Sequence, residues 1–372
     1  MKKLLKVYLQ KPELAGIVLL ALLIALFQFR SQMVFLSAEN VRGILGVLPE
    51  VGLVAIGVTL LMICGEFDLS VGSVFALTPM SITLLVNAGV PFWPAFLIGL
   101  VVAAAIGLMN GLITLVFNIP SFITTLGMLF IVRSLTVVLS GGFPPNLPID
   151  QMPAHLFVSF IGPDGLFRAS FLWFIGIGAA AAILLSVTNL GNWMKATGGF
   201  LEASISSGVP ARRVKLFSFV LCAVLAGFAG MIQVLRLGAA LPSIGDGLEL
   251  QAVAAAVIGG TALSGGIGNV LGAVVGALLI RVIDNGLVLT QVDANWFKFA
   301  VGSLTIFAVV ANAWMRRTAR HLKVQLLTPF QPMPGICFPI RMRVSTWVVL
   351  QRHSWPCAIC TNGIRASMRS MA

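Results

Sequence analysis

The chain has 372 residues, of which 58% are hydrophobic and only 10% are charged. A soluble domain carries about 25% charged residues, so this composition excludes an ordinary soluble protein and indicates a helical membrane protein. The formal net charge of +12 is concentrated in residues 316–372, which hold nine Lys or Arg residues and no acid. Such a pattern is typical of a basic tail on the cytoplasmic side of a membrane, and we expect no nucleic-acid partner.

Long apolar stretches predict ten membrane-spanning helices, because about 20 apolar residues are needed to cross the hydrocarbon core. We expect an all-α polytopic fold with spans at residues 13–29, 41–63, 70–88, 92–117, 121–140, 170–189, 215–236, 249–264, 268–288 and 295–315. Lysines before the first span place the N-terminus in the cytoplasm, and an even number of spans returns the C-terminus there. The eighth span is short and runs into GGTALSGGIG. A broken or re-entrant helix is expected there, because irregular backbone at membrane depth must be buried in protein or line water.

The segment GEFDLSVG carries Glu66 and Asp68 just before the third span. Ser70 and Ser121 are the candidate N-caps of the third and fifth spans, and acids are favourable near the positive end of a helix dipole. The alternative is functional: Glu66 and Asp68 contact a substrate or stabilise a helix break beside its path. The sequence alone leaves both interpretations open.

Arg133 lies about midway along the fifth span. A charge at this depth costs about 2.5–3.5 kcal/mol on insertion scales, so we expect Arg133 to be paired inside the bundle, with Glu66 or Asp68 as the partner. Asp246 and Glu249 are expected at the start of the eighth span, where acids suit the helix dipole. The candidate residues for a polar path through the membrane are Glu66, Asp68, Asn110, Asn118, Thr124, Arg133, Glu249 and Gln251.

The loop at residues 191–215 contains a short amphipathic segment that a glycine ends and a basic run follows. A short helix of this kind can dock in a groove of a partner protein. The alternative, an ordinary cytoplasmic loop, explains the basic run but not the Glu-Ala pair with a glycine six residues after the glutamate. The residues expected to make the partner contact are Glu202, Ala203, Gly208, Arg212 and Arg213.

Two glycine patterns, Gly107-x-x-x-Gly111 and Gly268-x-x-x-Gly272-x-x-x-Gly276, place glycines on one helix face and predict close approach of helix backbones. The sequence contains no Walker A motif and no Gly-Lys dipeptide, so we do not expect the chain to hydrolyse ATP through a P-loop. We also find no catalytic Ser, Cys or His constellation. The sequence therefore predicts neither an enzyme nor a metal site.

Four segments carry a family resemblance: GEFDLSVGSVFAL, NGLITLVFNIPSFITTLGMLFIVRSL, GGFLEASISSGVPARRVK and LELQAVAAAVIGGTALSGGIGNVLGAVVGALL. Together, over roughly residues 13–317, the chain resembles the permease subunit of bacterial ABC importers for monosaccharides, the branch typified by the ribose permease. That branch also serves xylose, galactose, arabinose, fructose, polyols and the autoinducer-2 signal.

The resemblance implies a sugar or polyol substrate and a location in the bacterial inner membrane. It implies a second permease copy, in a homodimer or a heterodimer, cytoplasmic ATP-binding subunits that hold ATP and Mg²⁺, and a periplasmic sugar-binding protein. It implies no cofactor in this chain. It also implies that Glu202, Ala203 and Gly208 correspond to the element that couples the family's permeases to their ATPase subunits.

The chain departs from the family at two places. Glu66 stands where many members have a second glycine, which suggests a subgroup with a different substrate. The resemblance ends at about residue 320, so we expect a permease domain at 1–320 and a basic tail at 321–372 that is unstructured or a frameshift product.

Two other functions compete with this one. An ion-coupled secondary transporter of a small polar solute predicts inverted repeats and leaves the 191–215 loop unexplained. A membrane-embedded enzyme would need a nucleophile or metal constellation, which the sequence does not offer.

Overall fold

The computed structural model of the chain describes residues 13–162, 165, 167–293 and 296–310. The helices in these residues are α1 (Glu13–Arg30), α2 (Ala38–Ile63), α3 (Val71–Asn87), α4 (Phe92–Phe117), α5 (Ser121–Ser140), α6 (Ala154–Val158), α7 (Ala169–Val187), α8 (Asn189–Gly199), α9 (Leu201–Ser206), α10 (Ala211–Leu237), α11 (Leu248–Ile258), α12 (Val270–Leu289) and α13 (Trp296–Val310). A 3₁₀ turn at Ile149–Gln151 precedes α6. The strands β1 (Phe160–Ile161) and β2 (Phe167–Arg168) form a small antiparallel hairpin, with Phe160 opposite Arg168 and Ile161 opposite Phe167. Apart from this hairpin, the predicted all-α class is confirmed.

Six helices are long and apolar enough to cross a membrane: α2, α4, α5, α7, α10 and α12. Each lies at one of the predicted spans. Four shorter apolar helices, α1, α3, α11 and α13, lie at the other four predicted spans. The six long helices establish a multi-pass helical membrane protein.

The centre of the bundle consists of α2 and α10. In the most apolar 18-residue stretch of each helix, 89% and 78% of the residues are buried. Both helices are apolar around most of their circumference, as buried helices are. They run antiparallel. Cys64, which follows the end of α2, faces Ser218 near the start of α10. Glu50, in the middle of α2, pairs with Arg236 near the end of α10. We call the end of the bundle that holds Cys64, Ser218 and α9 the α9 end.

Glycines let the central helices approach one another closely. A Cβ atom at Gly107 of α4 would lie 2.6 Å from the carbonyl oxygen of Phe219 in α10. At Gly272 and Gly276 of α12, a Cβ atom would overlap carbonyl oxygens of Gly259 and Ala255 at the end of α11. Both glycine patterns therefore mark close helix contacts, as predicted.

Two non-helical segments, residues 64–70 and 259–269, meet at the α9 end. The N–H of Gly266 donates to the carbonyl oxygen of Ile63 at 2.8 Å. Gly265 must be glycine, because its φ is +80° and a Cβ atom would lie 2.7 Å from the Gly198 carbonyl oxygen. α11 has 11 residues, about 16 Å of helix, and it ends where the predicted eighth span runs into its glycines.

Candidate functional site

Asp68 lies in the non-helical segment before α3 and is completely buried. Its Oδ1 accepts hydrogen bonds from the Ser70 backbone N–H at 2.8 Å and from the Ser70 hydroxyl at 2.6 Å. Asn110 of α4 donates to Asp68 Oδ2 at 3.3 Å and to Ser70 Oγ at 2.8 Å. These donors and the positive end of α3 stabilise the carboxylate.

Ser70 occupies the predicted N-cap position of α3 but does not cap it through its side chain, and the prediction that Ser121 caps α5 is wrong because Pro120 holds that position. Ser70 already has a helical backbone conformation and makes no side-chain cap bond. Its hydroxyl donates to Asp68 and accepts from Asn110 instead. The hydroxyl of Ser121 accepts from the N–H of Phe67 at 3.1 Å. This bond ties the segment before α3 to the start of α5.

Arg133 of α5 forms an ion pair with Asp246, at 2.8 Å between Nη2 and Oδ1. Its guanidinium also donates to the carbonyl oxygens of Pro242 at 2.8 Å, Ile244 at 2.9 Å and Gly72 at 3.2 Å. The Arg133 side chain is 18% exposed and that of Asp246 is 67% exposed. Arg133 thus joins α5, the start of α3 and the loop before α11, and the pair opens on the flank of the bundle.

The prediction that Arg133 pairs with Glu66 or Asp68 is therefore wrong. Glu66 pairs instead with Lys215 of α10, at 2.6 Å between Oε1 and Nζ. The reason is distance along α5: the helix starts beside the 64–70 segment, and Arg133 lies about 18 Å farther on. Asp68 is satisfied by the neutral donors of Ser70 and Asn110.

Glu249 lies in the first turn of α11, and its carboxylate sits against the backbone of α3, since a Cβ atom at Gly72 would overlap Glu249 Oε2. The N-termini of α3 and α11, each with partial positive charge, therefore meet at this point. Gln251 Oε1 is buried and accepts no hydrogen bond from the described residues. We call Arg133, Asp246 and Glu249 the central polar site.

Asn118 and Thr124 lie outside the central polar site. Asn118 is exposed and ends α4 with a φ of +56°, a left-handed conformation that asparagine adopts more readily than most residues. Thr124 precedes Arg133 by about 13 Å along α5. Its Oγ1 is buried and finds no hydrogen-bond partner among the described residues.

Sequence reasoning did not identify Asp246 as the ion-pair partner of Arg133, or Lys215 as the partner of Glu66. Each could have been suspected from charge balance, because a buried charge needs a partner of opposite sign. In the described part of the chain, no group of three His, Cys, Asp or Glu residues is placed to hold a metal ion.

The predicted short helix in the 191–215 loop is confirmed as α9, which contains Glu202 and Ala203. Gly208 follows it with a φ of +82°, a conformation that favours glycine. Glu202 and Ala203 are exposed, as are Arg212 and Arg213 in the first turn of α10. We call residues 200–213 the α9 segment.

Two apolar residues of the α9 segment were missed by sequence reasoning. Phe200 is 82% exposed and Ile205 is 56% exposed. Leu201 and Ile205 are four residues apart, which places them on one face of the helix. Exposed apolar side chains beside a polar rim are typical of a protein-binding surface.

Residues 40–309 match the family described as "Branched-chain amino acid transport system / permease component". The chain is 32% identical over 316 residues to the xylose/arabinose import permease protein XylH of Sulfolobus acidocaldarius, covering 82% of this chain and 86% of XylH. It is 35% identical over 304 residues to the ribose import permease protein RbsC of Escherichia coli, covering 82% and 93%. It is 32% identical over 286 residues to the autoinducer 2 import system permease protein LsrC of Yersinia enterocolitica, covering 76% and 78%.

No solved structure matches the chain. The family match covers well over half of the sequence, and its matched region contains all but the first two residues of α2, the helices α3 to α12, the central polar site and the α9 segment. The chain therefore belongs to the family of ABC sugar importer permeases that includes the ribose, xylose and autoinducer-2 permeases, and it is a multi-pass membrane transport subunit rather than an enzyme.

Proposed function

We propose that this chain is one of two permease copies in an ATP-driven importer that moves a monosaccharide or polyol across the bacterial inner membrane. The observation that carries this proposal is the central polar site. Arg133 lies deep along an apolar helix, yet its partner Asp246 is 67% exposed on the flank of the bundle. Because a charge at membrane depth is costly against lipid, this flank faces a water-filled path or a second permease.

Ten segments enter the membrane in this proposal. The six long helices cross it, α1, α3 and α13 cross as shorter helices, and α11 is the half-helix of a broken tenth span that ends at the α9 end. The N-terminus and the α9 end lie in the cytoplasm, because the exposed Arg212 and Arg213 belong there under the positive-inside rule.

The substrate is a neutral polyhydroxylated molecule. The central polar site offers a guanidinium and two carboxylates, which suit hydroxyl groups that both donate and accept hydrogen bonds. With two acids and one arginine, the site disfavours an anionic substrate. The names of the relatives point the same way, since XylH is an import permease for xylose and arabinose and RbsC is one for ribose.

ATP and Mg²⁺ bind to separate cytoplasmic subunits, and this chain holds no cofactor. The contact with those subunits is the α9 segment, where Glu202 and Ala203 are exposed on a short helix that can lie in a groove of the partner. A periplasmic binding protein delivers the substrate to the opposite end. The second permease copy is the same chain or a related one.

The test is uptake of ¹⁴C-labelled D-ribose and D-xylose by cells that lack their own pentose importers and produce this chain together with an ATP-binding subunit and a sugar-binding protein from the same organism. We expect uptake that depends on an intact ATPase. Glu202→Ala and Gly208→Pro should abolish uptake while the chain still inserts in the membrane. Uptake that needs no ATPase and collapses with a protonophore would establish the ion-coupled alternative instead.

The domain boundary near residue 320 is also a proposal, because residues 311–372 lie outside the described part of the chain. We propose that residues 1–320 form the permease domain and that the tail contributes nothing to transport. A stop codon after Arg320 keeps Arg316 and Arg317, and it should leave uptake unchanged. Loss of uptake by a truncated chain that reaches the membrane would assign the tail a role.

A further inference from the structure

A buried ion pair links the α9 segment to the segment that leads into α3. Glu66 Oε1 and Lys215 Nζ are 2.6 Å apart, and their side chains are only 11% and 12% exposed. We propose that this pair is a positioning contact, which transmits movement of the α9 segment to the central polar site. The inference rests on the proposed function, because it assumes that an ATPase moves the α9 segment.

On one side, Lys215 is fixed rigidly to the α9 segment. α10 begins at Ala211, so Arg213 and Lys215 lie within one turn of each other. A helix moves as a rigid element over one turn. Any displacement that a partner imposes on Arg213 therefore displaces Lys215 as well.

On the other side, Glu66 belongs to a short segment with fixed contacts at both ends. Before it, Cys64 Sγ lies 3.2 Å from Ser218 Oγ. After it, Asp68 holds the start of α3 through Ser70. A pull on Glu66 is thus passed to the first turn of α3 rather than absorbed in a loose loop.

The first turn of α3 is part of the wall of the central polar site. The carbonyl oxygen of Gly72 accepts a hydrogen bond from Arg133 at 3.2 Å, and Gly72 also lies against the Glu249 carboxylate. The contacts from Lys215 to Glu66, through the start of α3, to Arg133 are therefore continuous. Coupling between distant sites is carried by such chains of packed and hydrogen-bonded groups.

The chain offers a matched control pair. Glu50 of α2 pairs with Arg236 of α10, and Glu50 is 2% exposed. This pair also joins the α2 side of the bundle to α10, but it lies about 30 Å farther along α10 than Lys215. It has no part in the contacts between the α9 segment and the start of α3.

The experiment uses the complex purified through a tag on this chain, reconstituted in liposomes with the binding protein and ¹⁴C-labelled D-ribose or D-xylose, whichever the unmodified complex transports. Sugar uptake per ATP hydrolysed is compared for Glu66→Gln, Lys215→Met, the exchanged double variant E66K/K215E and Glu50→Gln. Mutations along a coupling network change coupling by about 2- to 30-fold. We expect such a fall for Glu66→Gln and Lys215→Met, with the ATPase subunit still bound and active, and recovery in the exchanged pair.

Glu50→Gln should lower the yield of folded complex without changing uptake per ATP. Unchanged uptake per ATP in Glu66→Gln and Lys215→Met, or an equal fall in Glu50→Gln, would overturn the inference while leaving the ATP-driven importer intact. If the single variants do not assemble and the exchanged pair restores only assembly, the pair is a folding contact and the inference is also overturned. If the unmodified complex transports sugar without ATP, the proposed function itself fails.

Discussion

The Arg133 guanidinium pairs with the Asp246 carboxylate at 2.8 Å, but the two partners differ sharply in exposure, at 18% and 67%. Arg133 also donates hydrogen bonds to the backbone carbonyl oxygens of Pro242, Ile244 and Gly72. Its structural role is therefore larger than the ion pair alone. Two substitutions can separate these roles.

Arg133→Ala should destabilise the protein more than Asp246→Asn. The first change removes the shared donor of three carbonyl oxygens, and a buried group left unsatisfied costs about 1–3 kcal/mol. The second removes an exposed carboxylate, and exposed ion pairs contribute only about 0–1 kcal/mol. Thermal unfolding of the detergent-solubilised chain measures both. Equal losses in the two variants would contradict the described role of the carbonyl contacts.

Asp68→Ala should also destabilise the protein, because Ser70 and Asn110 lose their acceptor in a completely buried site. We expect a loss of about 1–3 kcal/mol. The exchanged variant D68N/N110D keeps one carboxylate and one amide in the cluster and should recover part of the loss.

Thr114→Val is the control for the Asp68 prediction. Thr114 is one turn from Asn110 on α4, is buried, and its Oγ1 makes no hydrogen bond with the described residues. Removing an unpartnered buried hydroxyl should be neutral or stabilising. The same unfolding assay applies, and a control as unstable as Asp68→Ala would show that the loss reflects packing rather than hydrogen bonding.

Patterns within one stretch of sequence predicted much of this structure. Apolar length located the six long helices, glycine spacing located the close contacts at Gly107 and Gly276, and the Glu-Ala pair with Gly208 located α9. Each of these features depends on residues that are neighbours in the chain.

The ion pairs could not be predicted in the same way. Lys215 is 149 residues from its partner Glu66, and which acid it meets depends on how deep each helix lies in the bundle. The serine hydroxyls also bond across the bundle: Ser70 bonds to Asp68 and Asn110, and Ser121 accepts from the N–H of Phe67, rather than from the first N–H groups of their own helices. Local pattern rules do not resolve such competition.

Phe200→Ala should weaken the hold on the ATP-binding subunit without destabilising this chain. Phe200 is 82% exposed, and surface substitutions usually change stability by no more than about 0.5 kcal/mol. An apolar anchor at the centre of an interface contributes about 2 kcal/mol or more, which corresponds to a roughly 30-fold weaker complex. The measurement is the amount of ATPase subunit retained on the tagged chain across a dilution series.

Phe117→Ala is the matched control for Phe200→Ala. Phe117 is also an exposed phenylalanine near the α9 end, but it is the last residue of α4 and lies outside the α9 segment. It should leave retention unchanged. If both variants retained as much ATPase subunit as the parent, Phe200 would not be part of the interface.

Gly230→Ala should destabilise the bundle, whereas Gly127→Ala should not. A Cβ atom at Gly230 of α10 would overlap the carbonyl oxygen of Phe75 in α3, while none of the described atoms lies within 4 Å of a Cβ atom at Gly127 of α5. A backbone oxygen cannot rotate away, so α3 and α10 must separate, and overpacking of this kind costs about 1–3 kcal/mol. At Gly127, alanine adds helix propensity of up to about 1 kcal/mol. The measurement is the thermal midpoint of unfolding of each variant in the same detergent, which should fall for Gly230→Ala and stay unchanged or rise for Gly127→Ala. A Gly230→Ala chain as stable as its parent would refute the close contact between α3 and α10.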